Sequence, residues 1–211
     1  MIKLLGSSLF FVLIMLGGLD CRARAENNWE KLSNQGGRAL SVGDYKVAED
    51  CFEKALMEAK SFGTNSEQIA ASINNLASLY MQQGFFEAAE SRLRLSLSIR
   101  RTVLSKNDPK LANSLFNIGI CCYRQEKFDQ AEEFLLSSLA IREQNEGKEG
   151  LSVADELCWL SRVFEKQLRF KEAESCLDRA IAIREKHLGA RDKKTLSVKK
   201  QFLELLEREA D

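Results

Sequence analysis

Residues 86–100 read FEAAESRLRLSLSIR, residues 128–142 read FDQAEEFLLSSLAIR and residues 170–184 read FKEAESCLDRAIAIR. Each stretch opens on an aromatic residue, carries alanine three positions later and closes on Ile-Arg, and the next begins 42 positions on. A shorter match, YKVAEDCFEKALMEA at 45–59, begins 41 positions before the first. The aromatic/alanine pairs are therefore Tyr45/Ala48, Phe86/Ala89, Phe128/Ala131 and Phe170/Ala173. A second marker keeps step with them: Leu97 to Arg100, Leu139 to Arg142 and Ile181 to Arg184. Two markers held in phase over four units are the signature of a repeat architecture, in which each unit buries its apolar face on its neighbours.

Outward from each stretch lies a second amphipathic segment. Ile73, Leu76, Ala77 and Tyr80 fall at helical intervals, as do Leu115, Ile118, Gly119 and Cys122, and then Leu157, Leu160, Ser161 and Phe164. Gln83-Gly84 marks the turn between the two helices of a unit, and Asp108-Pro109 ends one pair and begins the next. Gly36, Ala77, Gly119 and Ser161 hold one position of the first helix, and Ala48, Ala89, Ala131 and Ala173 one position of the second. Small side chains there let paired helices approach closely, while larger neighbours fill the space between pairs.

The units resemble tetratricopeptide (TPR) repeats. That family places a small residue at its eighth position, aromatics near the eleventh and seventeenth, and alanine at the twentieth and twenty-seventh. Gly36, Tyr45, Ala48, Phe52 and Ala55 follow the pattern, as do Tyr80, Gly84, Phe86 and Ala89. The 42-residue period, the Ala140–Glu143 and Ala182–Glu185 ends and the Ser72–Ala77 stretch resemble the kinesin light chain subtype. The resemblance implies an all-α fold, a right-handed superhelical solenoid of four helix-turn-helix repeats plus a C-terminal capping helix. The repeats are expected at about 29–62, 70–104, 112–147 and 154–189, and the cap at about 193–209. Leu196, Phe202, Leu203 and Leu206 would cover the last repeat, with Lys199, Lys200, Glu204, Glu207 and Arg208 keeping the outer side of the cap wet. Four positions depart from the pattern. Ser96 and Ser138 replace the second alanine, and Glu126 and Leu168 replace the turn glycine; both changes are expected to weaken their repeats locally.

Residues 1–25 read as an export signal: Lys3 at the start, an apolar run from Leu4 to Leu19, and Ala23-Arg24-Ala25 with small residues where a signal peptidase inspects them. The apolar run of about 16 residues is short of the ~20 that span a bilayer. The alternatives are an uncleaved anchor and lipidation at Cys21, the latter opposed by Asp20 beside it. The expected placement is exported, periplasmic or secreted, with membrane attachment only through a retained signal. Cleavage after Ala25 removes Lys3, Arg22, Arg24 and Asp20, so that 31 basic and 31 acidic residues become 28 and 30. That balance offers no argument for nucleic-acid binding.

The face of each first helix opposite its packing side lines the concave groove in stacked repeats of this family. Asn34, Asn75 and Asn117 form a column there that ends at Trp159, with Asn74 alongside. An amide offers donors and an acceptor to an extended peptide backbone, and the resemblance points to peptide binding by such asparagines. The first half of the groove (Ser33, Gly37, Asn74, Ser78, Gln82) is neutral and polar. The second half (Phe116, Tyr123, Arg124, Trp159, Arg162, Lys166) is aromatic and basic, and suits a carboxylate next to an apolar side chain. Asp155 and Glu165 stand close enough in sequence to neutralise those cations. The carboxylate-clamp arrangement of the family is not reproduced at Ser33 and Gly37.

The sequence has no phosphate-binding glycine loop, nucleophile elbow or spaced metal-ligand set, so no catalytic residue, metal or cofactor is expected. Its single histidine, His187, reads as a helix-end surface residue. Five cysteines follow the signal (Cys51, Cys121, Cys122, Cys158, Cys176), an odd number, with Cys158 and Cys176 the one pair at similar heights on paired helices. The expectation is a non-enzymatic scaffold that binds a protein or peptide in its groove. The alternative is an accessory subunit of an envelope or secretory assembly that works through its outer helix faces.

Overall fold

The computed structural model describes residues 23–210, which form nine α-helices and a short 3-10 turn, with no strand among them. Helix α1 covers 23–41, followed by α2 (Tyr45–Ala59), α3 (Glu67–Gln83), α4 (Phe86–Val103), α5 (Pro109–Arg124), α6 (Phe128–Glu146), α7 (Leu151–Lys166), α8 (Phe170–Leu188) and α9 (Lys193–Ala210). Each packs chiefly on the helices before and after it in sequence, the order of a solenoid. Of the segment read as an export signal, only Ala23-Arg24-Ala25 lies within the described residues, inside α1. Among the described residues no helix is long and apolar enough to cross a membrane.

The turn inside each unit is built the same way. Asp44, Phe85, Lys127 and Arg169 donate their backbone N–H to the carbonyls of Ala39, Tyr80, Cys122 and Phe164, five residues back. This closure needs a left-handed residue just before the donor. Gly43 (φ 79°) and Gly84 (φ 84°) supply it freely, whereas Glu126 (φ 61°) and Leu168 (φ 60°) adopt it against their Cβ. The turns of the third and fourth units thus keep their shape and carry the strain. Between units, Ser66 and Asp108 cap α3 and α5 by accepting from the N–H groups of Ile69 and Lys110, and Pro109 opens α5.

Close approach explains the small residues. A Cβ on Gly36 would lie 2.5 Å from the Phe52 ring, and one on Gly119 would lie 2.7 Å from Leu135 Cγ. Ala48, Ala89, Ala131 and Ala173 are all fully buried on the facing helices. Ser96 and Ser138 behave differently from the expectation. Both are fully buried, and their hydroxyls donate to the Ala70 and Ala112 carbonyls at 2.8 Å. They tie the second helix to the first instead of loosening the pair.

The arginine that closes each repeat marker is a clamp to the following unit. Arg100 (α4) donates to Ser114 Oγ and the Lys110 carbonyl on α5, and pairs with Glu67 on α3. Arg142 (α6) pairs with Glu156 on α7 at 2.6 Å and donates to Asn113 on α5. Arg184 (α8) donates to the Lys194 carbonyl on α9 and pairs with Asp155 on α7 at 2.5 Å.

Helix α9 packs in a register different from the expected one. Thr195, Val198 and Leu205 are buried, and Phe202 packs against the core. Leu196, Leu203 and Leu206 are exposed. The reason lies in the repeat phase. Leu203 falls at the small-residue position held by Gly119 and Ser161, a face that in the other first helices meets their own second helix. In α9 it meets none among the described residues.

Candidate functional site

The described cysteines are all free thiols, so Cys158 and Cys176 are not joined. Burial pushes the Cys121 thiol up to about 12 and those of Cys122 and Cys176 up to about 11, which leaves them unionised. Among the described residues no group of three or more His, Cys, Asp or Glu is placed to hold a metal ion. His187 is exposed at the end of α8, its ring Nε2 lying 2.9 Å from the Glu149 carbonyl oxygen.

The groove face of the first helices is continuous in register from α1 to α9 but not uniform in character. Asn34 is exposed on α1 in a shallow depression with Lys31, Gln35 and Arg38. Asn75 on α3 and Asn117 on α5 are half-buried, and neither lines the pockets described below. Asn74 holds a buried Oδ1 with no hydrogen-bond partner, and Ser33 Oγ on α1 is in the same condition. The asparagine column is thus spread along the array and does not converge on one cavity.

The aromatic and basic residues do converge. Trp159 on α7 meets Phe116 edge to face at 6.5 Å and Tyr123 at 5.6 Å, both from α5. Tyr123 in turn packs on Phe128 at 5.7 Å. The Arg162 guanidinium lies 4.7 Å over the Trp159 ring, one helical turn away on the same face, and Arg124 lies 5.7 Å from the Phe86 ring. Such stacking holds a cation without neutralising it. Tyr123, Arg124, Trp159, Arg162 and Lys166 line a pocket of about 520 Å³, and Phe116, Trp159 and Arg162 a smaller neighbouring one of about 340 Å³.

The carboxylates nearby are already paired with other cations at the edges of these pockets. Asp155 pairs with Arg184, and Glu165 with Arg208. Among the described residues Arg124, Arg162 and Lys166 make no ion pair. The pocket therefore presents three uncompensated cations around an aromatic floor.

The far wall of this pocket was missed by the sequence reading. Ser197, Lys200, Gln201, Glu204 and Arg208 of α9 line it. Lys200, Glu204 and Arg208 thus face the groove, and not the outer surface expected of them. The signal was available. Counted in repeat phase, these five residues fall at the second, fifth, sixth, ninth and thirteenth positions, the groove positions of every first helix. Treating α9 as a cap with one wet side obscured this, because α9 keeps the groove face of a full repeat.

Comparison with known proteins agrees with this architecture. Tetratricopeptide-repeat family profiles match residues 68–144 and 160–192, together just over half of the chain. No curated protein matches the sequence. Among solved structures, a Podosopora anserina protein assigned as a kinesin light chain with nearly identical TPR-like repeats superposes with a TM-score of 0.73 at 20% identity, covering 90% of this chain and 88% of that one. A second crystal structure of that protein gives a TM-score of 0.73 at 19% identity, with the same coverage. BtubC (BKLC) from P. vanneervenii gives 0.71 at 19% identity, covering 92% of this chain and 87% of its own. At these identities the likeness speaks to fold alone. With its repeat markers, its Schellman-type turns and its clamped helix pairs, this chain carries tetratricopeptide repeats, and its described part is a TPR solenoid.

Proposed function

We propose that the protein is an exported, non-enzymatic scaffold that binds a peptide or protein segment along its first-helix groove. Its strongest subsite is the pocket between α5, α7 and α9. The observation that carries this reading is the set of uncompensated cations, Arg124, Arg162 and Lys166, around the Trp159 and Tyr123 rings. Aromatic residues and arginine supply most of the binding energy in protein interfaces. A segment with a carboxylate next to a bulky apolar side chain matches both features: the apolar group meets the rings and the carboxylate meets the cations. The exposed Asn34 and the half-buried Asn75 and Asn117, farther along the groove, offer amide donors and acceptors to an extended backbone. Export rests on residues 1–25 and on their signal-like pattern.

The test is selection from two nonapeptide libraries, one with Leu-Glu fixed at the centre and one with Leu-Lys. Enrichment from the Leu-Glu library, weakened by added salt as exposed charge pairs must be, supports the reading. Equal recovery from both libraries sinks it. Mass spectrometry of the protein from cells tests export, and an intact Met1 contradicts cleavage.

A further inference from the structure

The side of the array opposite the groove carries an apolar cleft that no groove ligand touches. It lies between α2 and α4 with α3 as its floor, has a volume of about 620 Å³, and is lined by Leu56, Met57, Ile73, Leu76 and Leu95, with Glu53, Lys60, Ser91 and Arg92 at its polar edge. Met57 is 68% exposed and Leu95 53%. In the later units Met57 is replaced by Ser98, Ala140 and Ala182, and Leu95 by Ser137 and Arg179. The repeat fold therefore does not require large apolar side chains at these places, and the first two units alone present them.

A second unpartnered apolar surface exists on the same chain. Leu196 (49% exposed), Leu203 (60%) and Leu206 form a stripe on α9, on the face turned away from α8. The charges flanking the two surfaces match in sign and spacing. On α2, Glu53 and Lys60 are exposed and lie seven residues apart on either side of Leu56 and Met57. On α9, Lys200 and Glu207 are exposed and lie seven residues apart on either side of Leu203 and Leu206. Seven residues are about 10.5 Å of helix in both cases. When α9 lies parallel to α2, Lys200 meets Glu53, Glu207 meets Lys60, and Leu203 falls against Met57. The antiparallel arrangement sets like charges against each other.

We infer that the cleft between α2 and α4 receives α9 of a second copy of this chain. The two surfaces are different patches at different ends of the array, so the contact is heterologous and continues from copy to copy unless its rotation closes a ring. Lys200 also lines the wall of the peptide pocket, so the two contacts share that one side chain, while Leu196, Leu203 and Leu206 lie outside the pocket lining.

The test is sedimentation velocity of the purified protein across a broad concentration series. The expected result is a sedimentation coefficient that rises above that of the monomer, either without limit or to the plateau of a closed ring. A monomer at every concentration overturns the inference. Two single variants then separate the surfaces. Leu203→Asp disables the α9 stripe and Met57→Asp disables the cleft; each alone is expected to be monomeric with an unchanged melting temperature. Mixed together, they retain one intact cleft and one intact stripe and are expected to form a one-to-one dimer that grows no further. No dimer in the mixture contradicts the pairing. Lys60→Glu is expected to weaken association at least tenfold, and Glu207→Lys in the same chain to restore it. Failure of that restoration contradicts the parallel register.

Discussion

Arg142 on α6 donates through Nε to Oε1 of Glu156 on α7 at 2.6 Å, and the single Ser138 hydroxyl proton is shared between the same oxygen at 2.6 Å and the Ala112 carbonyl at 2.8 Å. The second carboxylate oxygen, Oε2, is buried and has no partner. This places a completely buried acid at the junction of the third and fourth units, held by one arginine and one hydroxyl. Arg142 also lies 5.6 Å from the Phe116 ring, so the clamp and the aromatic floor of the groove share a side chain.

Removing the arginine leaves the buried acid without its countercharge. Above pH 7, where Glu156 is ionised, Arg142→Ala is expected to destabilise the protein by about 3 kcal/mol or more, as breaking buried pairs does. Chemical denaturation measures it. A loss near that of an ordinary surface ion pair, below about 1 kcal/mol, contradicts the clamp.

Burial pushes the Glu156 carboxyl up to about 7, against the bonds from Ser138 and Arg142 that hold it down. The folded protein thus keeps this proton at pH values where the unfolded chain, near 4.5, has lost it. The folded state then binds more protons than the unfolded one, so this group's contribution to stability falls as pH rises from about 4.5 to about 7. Glu156→Gln has no such proton. The decline in melting temperature over that window is expected to be smaller in the variant than in the parent. Identical pH profiles refute the assignment.

The left-handed turns offer a gain in stability. Glu126 and Leu168 hold φ near 60°, a conformation that costs a residue with a side chain about 1–2 kcal/mol. Glycine removes that cost but adds chain entropy to the unfolded state. Glu126→Gly and Leu168→Gly are each expected to stabilise by about 0.5–1 kcal/mol, read as a rise in melting temperature. Destabilisation by both shows that the side chains contribute more than the strain they cause.

Helix approach is tested by adding volume. Gly119→Ala puts a methyl 2.7 Å from Leu135 Cγ and 3.4 Å from the Ala131 carbonyl oxygen. Ala131→Phe overfills the same seam from the other side. Each is expected to destabilise by about 1–3 kcal/mol or more. An unchanged melting temperature in either means that the helices separate without cost.

The solenoid was legible in the sequence because its determinants recur. Phe86, Phe128 and Phe170, with the alanine three residues after each, repeat at one interval, and no single-residue accident reproduces that. Gly119 was legible as a packing residue for the same reason. Ser96 and Ser138 were misread because composition does not reveal that a hydroxyl finds a carbonyl on the facing helix at 2.8 Å. Leu196, Leu203 and Leu206 were placed in the core because an apolar residue at helical spacing does not say which of two faces it occupies. Repeat phase decides that, and it puts Val198 and Leu205 inside. The same phase puts Lys200, Gln201 and Arg208 in the groove. The edge-to-face contacts of Trp159 with Phe116 and Tyr123 depend on the angle between two helices, which no single sequence records.

The peptide pocket is tested most directly by reversing its free cations. Binding of a fluorescein-labelled Leu-Glu nonapeptide, chosen from the enriched library, is followed by anisotropy for the parent and for Arg162→Glu/Lys166→Glu. Both side chains are exposed, so the variant is expected to melt with the parent. The account predicts at least a tenfold loss of affinity in the variant, with Asn34→Ala leaving affinity within twofold. Unchanged affinity in the charge-reversed protein contradicts the placement of the binding site between α5, α7 and α9.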